Sequence, residues 1–395
     1  MQIGYCGNVH PGRNLQEVQD NLTRHSLAIK KIVRPNEAMG IGLWLSATTA
    51  LELADDRRLN DFRKWLEDAG LVPFTFNGFP YGDFHQPIVK HNVYQPTWAD
   101  DSRLQFTVRL AEIQSHLLPL SEDGTISTLP LGWPRPGGKD VARNFLDDCA
   151  RNLRNCANQL GRMREQTGHK TVICLEPEPG CVLDTAEDVV VFFEEFLRTG
   201  NAAQDEITGR HIGVCHDICH SAVMFEDQCS AIELYHRAGI RIGKVQVSSA
   251  IRVNFDELSA AAKQLALQQL GDFAEPRYLH QTTVKTGTEI SFFEDLPLAI
   301  QHWPSAAAVR GQWRIHFHVP IYADRLGMID TTQGEIDNCL DALSKFQCPV
   351  DHFEIETYAW NVLPECWQVA TLADGIAQEW NWFEGRCRAI REREN

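Results

Sequence analysis

Apolar positions along this chain follow two alternating periods. Short runs of mostly apolar residues occur at Gln2 to Cys6, Ile41 to Leu45, Val72 to Phe76, Ile126 to Leu131 and Lys170 to Glu176. Further runs lie at Ile212 to Cys215, in "GKVQVSS" (243–249) and in "HFEIETY" (352–358). Their length and β-branched content predict buried strands. Between them, apolar residues recur every three or four positions: Leu15, Val18, Leu22 and Ile29; Leu59, Phe62, Leu66 and Ala69; Val141, Phe145, Cys149, Leu153, Cys156 and Leu160; Val189, Phe193, Phe196 and Leu197. That spacing predicts amphipathic helices. Further helices are expected over Ser102 to Leu118, Ser230 to Ala238 and the C-terminal stretch. Asn14 followed by Glu17 predicts a capping box at the start of the first helix, and Thr185 opens the helix after strand five.

Strand and helix thus alternate about eight times, which calls for a parallel sheet with helices outside. Eight such units predict a (β/α)8 TIM barrel, typically about 250 residues. The chain has 395 residues, without a low-complexity linker or a short internal repeat, and reads as one domain over 1–395. One interval breaks the count. About a hundred residues separate strand seven from the last strand, where one unit takes roughly 30. That interval holds "RYLHQTTVKTGTEISFF" and "WRIHFHVPIY", both strand-like, so a β-containing insertion over 250–320 is expected before the last strand.

In a TIM barrel the C-terminal ends of the strands build the site. Strand one ends at Asn8 and His10, and strand three at Asn77. Strand five ends at Glu176 with Glu178 beyond it; "HDICH" delivers Asp217 and His220 after strand six. Strand seven carries Gln246, the insertion carries His316 and His318, and the last strand carries Glu354 and Glu356. Each has a plain structural reading. A carboxylate after a strand is often the N-cap of the next helix, and a single buried histidine is usually a hydrogen-bonded core residue. Five such groups, Glu176, Asp217, Gln246, His318 and Glu356, at one end of one barrel are harder to explain that way, because unpaired buried charge is costly. A divalent cation, Mn2+, Mg2+ or Zn2+, would resolve the cost.

Net charge is −16, with 37 basic and 53 acidic residues. A nucleic-acid partner calls for a basic face, so none is expected. No apolar run reaches the length of a membrane span, and the N-terminal "MQIGYCGNVH" lacks the plan of a signal peptide. A cytoplasmic protein is expected, with its 12 cysteines reduced and mostly buried. "RPGGKD", with Arg135 and Lys139 ahead of a helix, offers a phosphate cradle, although an ordinary Gly-Pro turn has the same composition. Trp44 near a strand end offers a face for a sugar ring, and His10, His220 and His316 are candidate substrate contacts.

The strand ends "LEPEP", "HDICH", "VQVSS" and "EIETY" resemble those of the xylose-isomerase-like TIM barrels, the superfamily of sugar isomerases, ketose 3-epimerases and endonuclease IV. The resemblance implies metal ligands at Glu176, Asp217, Gln246 and Glu356, with His220 facing the substrate. Gln246 stands where the epimerases usually have histidine. "IGYCGNVHPGRN", "NGFPYGDFH", "LEPEPGC", "KVQVSSA", "WRIHFHVPIY" and "EIETYAWNVLP" together resemble the EboE family of metabolite-traffic proteins, from Tyr5 to Pro364. That resemblance implies a role in natural-product precursor metabolism or traffic, alongside other proteins of the same pathway.

The residues could run the isomerisation or epimerisation of a sugar, cyclitol or related polyol, phosphorylated or not. An enediolate would be stabilised by the metal, with Glu176 and Glu356 moving the proton. The competing reading is a barrel that binds or carries a small polar metabolite without turning it over. Endonuclease-IV-like DNA repair is disfavoured by the acidic charge.

Overall fold

The structure, a computed structural model, describes every residue except Ser121, 135–140, Gln368 and Asn395. The first seven strands are β1 (Gln2–Tyr5), β2 (Met39–Trp44), β3 (Leu71–Asn77), β4 (Gly124–Thr128), β5 (Thr171–Leu175), β6 (Ile212–Asp217) and β7 (Ile242–Val247). Then come β8 (Ile251–Asn254), β9 (Thr282–Thr286), β10 (Glu289–Phe293), β11 (Gln312–Ile315), β12 (Arg325–Leu326) and β13 (Ile329–Thr331), and finally β14 (His352–Ile355). Eight of these form one parallel sheet in the order β1–β14–β7–β6–β5–β4–β3–β2. A single bridge between Cys6 and Gly42 brings β2 back to β1, so the sheet is a nearly closed barrel with helices around it.

Most helices sit where the periodicity puts them, at Asp56–Ala69, Asp101–Leu117, Arg143–Thr167 and Gln228–Arg237. Thr185 and Asp188 form a capping box at the head of Ala186–Phe192. The first helix departs from expectation at its cap. Asn14 accepts from the Glu17 N–H, but the Glu17 carboxylate turns to the backbone and guanidinium of Arg13 and does not close the box. Strand β4 also stops short of the expected Leu131. Pro130 has no N–H to give the ladder, and Leu131 takes a positive φ of 70°.

Between β7 and β14 the chain builds a second, antiparallel sheet in the order β10–β9–β11–β8–β13–β12. It extends past residue 320, because β13 pairs with β8. The three residues of "IDT" hold one apolar side chain, Ile329, too short a run to announce that strand. The ladder of β11 ends at Ile315, so His316 and His318 lie just beyond it. There the His316 N–H donates to Gln281 O, and the Val319 N–H donates to Ser249 O.

Inside the barrel, Val172, Cys174 and Cys215 form a small apolar cluster. Above it sits a fully buried ion pair between Lys244 on β7 and Glu354 on β14. Burial alone would lower the Lys244 pKa, but the Glu354 carboxylate outweighs it and holds the ammonium charged. The Glu354 side chain reaches to the β2 side of the barrel: a Cβ on Gly42 would lie 1.4 Å from its Oε1. The closing seam therefore depends on a residue with no side chain. Among the described residues, no helix is long and apolar enough to cross a membrane.

Removing one partner of a buried ion pair leaves an uncompensated charge and typically costs about 3–5 kcal/mol. Lys244→Met should lower the urea unfolding free energy by about that much, and adding Glu354→Leu to it should restore most of the loss. Equal instability of the single and double variants would show that the pair is not what the barrel interior depends on.

Candidate metal centre

Glu176 follows β5, Asp217 ends β6 and Glu356 follows β14, so three strands aim three carboxyls at one barrel mouth. One oxygen from each lies within 4.8 Å of the others. The N-cap reading of Asp217 accounts for half of that residue. Its Oδ1 caps the helix Ile218–Val223, accepting from the His220 N–H at 3.0 Å and from the Ser248 hydroxyl at 2.7 Å. Its Oδ2 has no hydrogen-bond partner, and neither does Glu176 Oε2. Glu356 Oε1 accepts from the side-chain amides of Asn8 at 2.7 Å and Asn77 at 3.2 Å, which fixes its orientation.

The electrostatics follow from this crowding. Burial, reinforced by Glu356 and Asp217, pushes the Glu176 pKa well above the usual carboxylate range. Burial, with Asp217 and Glu354 nearby, does the same to Glu356. Asp217 is the exception: burial would raise it, but His220, His318 and its own hydrogen bonds hold it down. Asp217 therefore ionises most readily of the three, while Glu176 and Glu356 give up their protons only at higher pH than free carboxyls do.

Gln246 shares the strand parity of Lys244 and Ser248, residues whose side chains reach Glu354 and Asp217. It is fully buried, and neither its Oε1 nor its Nε2 has a partner. His318 donates from Nδ1 to the Glu356 carbonyl at 2.7 Å, which leaves Nε2 as a lone pair, also without a partner. Burial pushes the His318 pKa down to about 4, so the ring is neutral and able to coordinate. Unsatisfied oxygen and nitrogen donors of this kind, buried together, are what a divalent cation needs. Glu176, Asp217, Glu356, Gln246 and His318 are the residues that could hold it.

His220 and His316 also reach this cavity, their rings 4.5 Å apart. The outer wall is aromatic, with Phe79, Phe84, Tyr94, Tyr278 and Tyr358, and Lys90 stands among these residues. Two further candidate contacts are not among the residues that line this cavity. His10 is within 3.1 Å of the Tyr5 hydroxyl and stacks on His25. Trp44 donates to the Pro80 carbonyl and packs against Phe84 and His85. Arg135 and Lys139 lie outside the described residues. His216, one position before Asp217, has the opposite strand parity and is within 2.7 Å of Gln228 Oε1.

The groups that hold the site in place have weaker signatures along the chain. Tyr94 donates to Glu178 Oε1 at 2.8 Å, and the Gln281 side chain donates to the same oxygen at 3.0 Å. Tyr94 comes from the long loop after β3 and Gln281 from the start of β9. Only folding brings them to Glu178. The motif "LEPEP" already exposes the second carboxylate of the pair, and that was the usable signal.

No protein-family model matches the sequence, and no curated protein is significantly similar to it. Among solved structures, an L-ribulose 3-epimerase aligns with a TM-score of 0.50 at 14% identity, over 100% of this chain and 97% of its own. A D-tagatose 3-epimerase-like protein aligns with a TM-score of 0.47 at 11% identity, over 100% of both chains. An IolI protein with a binding zinc atom aligns over 63% of this chain and 73% of its own, with a TM-score of 0.38 at 12% identity. At such identities the likeness is one of fold, and that fold is the nearly closed (β/α)8 barrel described above.

Proposed function

We propose that this protein is a divalent-metal-dependent isomerase or epimerase of a sugar, cyclitol or related polyol. One observation carries the reading: Glu176, Asp217 and Glu356 converge within 4.8 Å at the mouth of an aromatic-walled cavity. A bound ion would polarise a substrate carbonyl and favour loss of the neighbouring proton. Glu176 and Glu356 sit three strand positions apart around the eight-stranded sheet, so they approach a substrate from different sides. One takes the proton beside the carbonyl and the other returns it. Asn8 and Asn77 hold the Glu356 carboxyl in a fixed orientation for that transfer. The aromatic wall stacks on the substrate ring and excludes water from the proton that moves.

The resemblance to the EboE family supports a place in natural-product precursor metabolism or traffic, in the cytoplasm and beside other proteins of that pathway. A second reading, a barrel that carries its metabolite without turning it over, is favoured by Gln246. Amide oxygen is a weaker metal ligand than the histidine expected there. Proton exchange separates the two. In heavy water with Mn2+, the protein should exchange the C–H beside the carbonyl in at least one of a panel of ketopentoses, ketohexoses and keto-cyclitols and their phosphates. Glu356→Gln should slow that exchange by about 10²–10⁴-fold, the usual worth of a positioned general acid or base. Binding without exchange across the panel would favour the carrier.

The raised carboxyl pKa values fix the sign of a pH effect. Without metal, Glu176 and Glu356 keep protons at pH values where free carboxylates have lost them, and an entering cation must displace those protons. Fewer remain to be displaced as pH rises. The increase in melting temperature on adding Mn2+ to chelator-treated protein should therefore grow between pH 5.5 and pH 8. Calorimetry in buffers of different ionisation enthalpy should show protons released on binding. A pH-independent increase with no proton release would place the cation elsewhere.

A further inference from the structure

In the histidines above the acidic cluster, the hydrogen-bond partners decide which ring nitrogen holds the proton. His220 Nδ1 lies 2.9 Å from the Pro177 carbonyl, which can only accept, so Nδ1 bears a hydrogen and, in the neutral imidazole, Nε2 is a lone pair. The Gln281 amide nitrogen donates to Glu178 Oε1 and to the Tyr94 oxygen. Its Oε1 therefore faces His316 Nδ1 at 2.8 Å and accepts from it. His316 Nε2 is then a lone pair as well. The two Nε2 atoms face each other at 3.1 Å. Two lone pairs at that distance repel unless something positive lies against both.

The separation suits a metal ion. Two nitrogens at about 2.0–2.1 Å from one Zn2+, subtending roughly 95–110°, lie about 3.0–3.4 Å apart. Glu178 joins them: one of its oxygens and one nitrogen from each ring lie within 4.8 Å of one another. Each imidazole is also held as metal-binding imidazoles are, by its other N–H on a fixed acceptor. We propose that Glu178, His220 and His316 form a second divalent-cation site beside the acidic one, selective for a borderline ion such as Zn2+. A proton shared by His220 and His316 would answer the repulsion of that pair without calling on a third ligand, whereas a carboxylate oxygen of Glu178 also lies within reach of both rings.

This deepens the reading above, since both sites open on one cavity, yet the donors differ. The acidic site is oxygen-rich and suits Mn2+ or Mg2+, whereas the imidazole site suits Zn2+ or Co2+. The barrel supplies His220 and Glu178, and the inserted sheet supplies His316 and, through Gln281, its orientation. The insertion thus gives a sugar-type barrel a second point at which a substrate oxygen could be held.

The test uses the full chain, stripped with chelator and titrated with Co2+, with bound metal counted after dialysis. Wild type should bind two equivalents, His316→Gln one, and Glu356→Gln one. If His316→Gln keeps the wild-type count, the second site does not exist, whether or not the acidic ion does. One equivalent in wild type that is lost in His316→Gln but kept in Glu356→Gln would support the imidazole site and remove the acidic one. No binding at all would remove both. A measurement on wild type covers the case in which His316→Gln does not fold. X-ray absorption of protein loaded with one equivalent of Zn2+ should show two imidazoles at the metal, and an oxygen shell with at most one imidazole would overturn the proposal.

Discussion

The organisation of this protein rests on the cost of burying negative charge. Glu176, Glu178, Asp217, Glu354 and Glu356 are all buried at or below one mouth of the barrel. Carboxylates in such a place either pair, collect hydrogen bonds, keep their protons or bind a cation. The first three are visible here. Glu354 pairs with Lys244. Asp217 and Glu178 collect donors from the chain around them. Glu176 and Glu356 are left with pKa values raised by burial and by the carboxylates beside them.

The fold carries the consequences outward. Lys244 is held charged at the barrel centre, so its field reaches Glu176 and Glu356 and partly offsets their mutual repulsion. Room for Glu354 requires Gly42 at the seam where β1 and β2 close the sheet. Asp217 binds the start of its helix with one oxygen and turns the other to the cavity, so capping and site-building share one side chain. The histidine in the Asp-x-x-His turn is fixed by the Pro177 carbonyl, itself part of the strand end that carries Glu176 and Glu178.

The second sheet changes what the mouth contains. A barrel alone would present carboxyls, two asparagines and His220. The inserted strands bring His316 and His318 over them and add Gln281, which ties His316 to the Tyr94–Glu178 pair. His318 in turn is tied to β14 through the Glu356 carbonyl. Residues from the first loop, the third loop, the inserted sheet and the last strand thus meet in one hydrogen-bonded shell, and its inner face is lined with lone pairs.

The barrel was legible in the sequence because its signals are local. Strand-length apolar runs alternate with helix-period stripes, and the polar residues that end the strands are read off directly. Topology then sends those ends to one face, so Glu176, Asp217 and Glu356 could be grouped without coordinates. The inserted β-structure was also legible, from its two strand-like strings, but its extent was not. β13 is too short to leave a periodic trace, and its partner β8 is about seventy-five residues away. His10 and Trp44 show what a strand end leaves open: it fixes the height of a side chain in the barrel, while its neighbours, Tyr5 and His25 for one and Phe84 and His85 for the other, are set by packing. The imidazole tautomers lay wholly beyond the sequence, since the Pro177, Gln281 and Glu356 acceptors are brought to the three rings only by long-range packing.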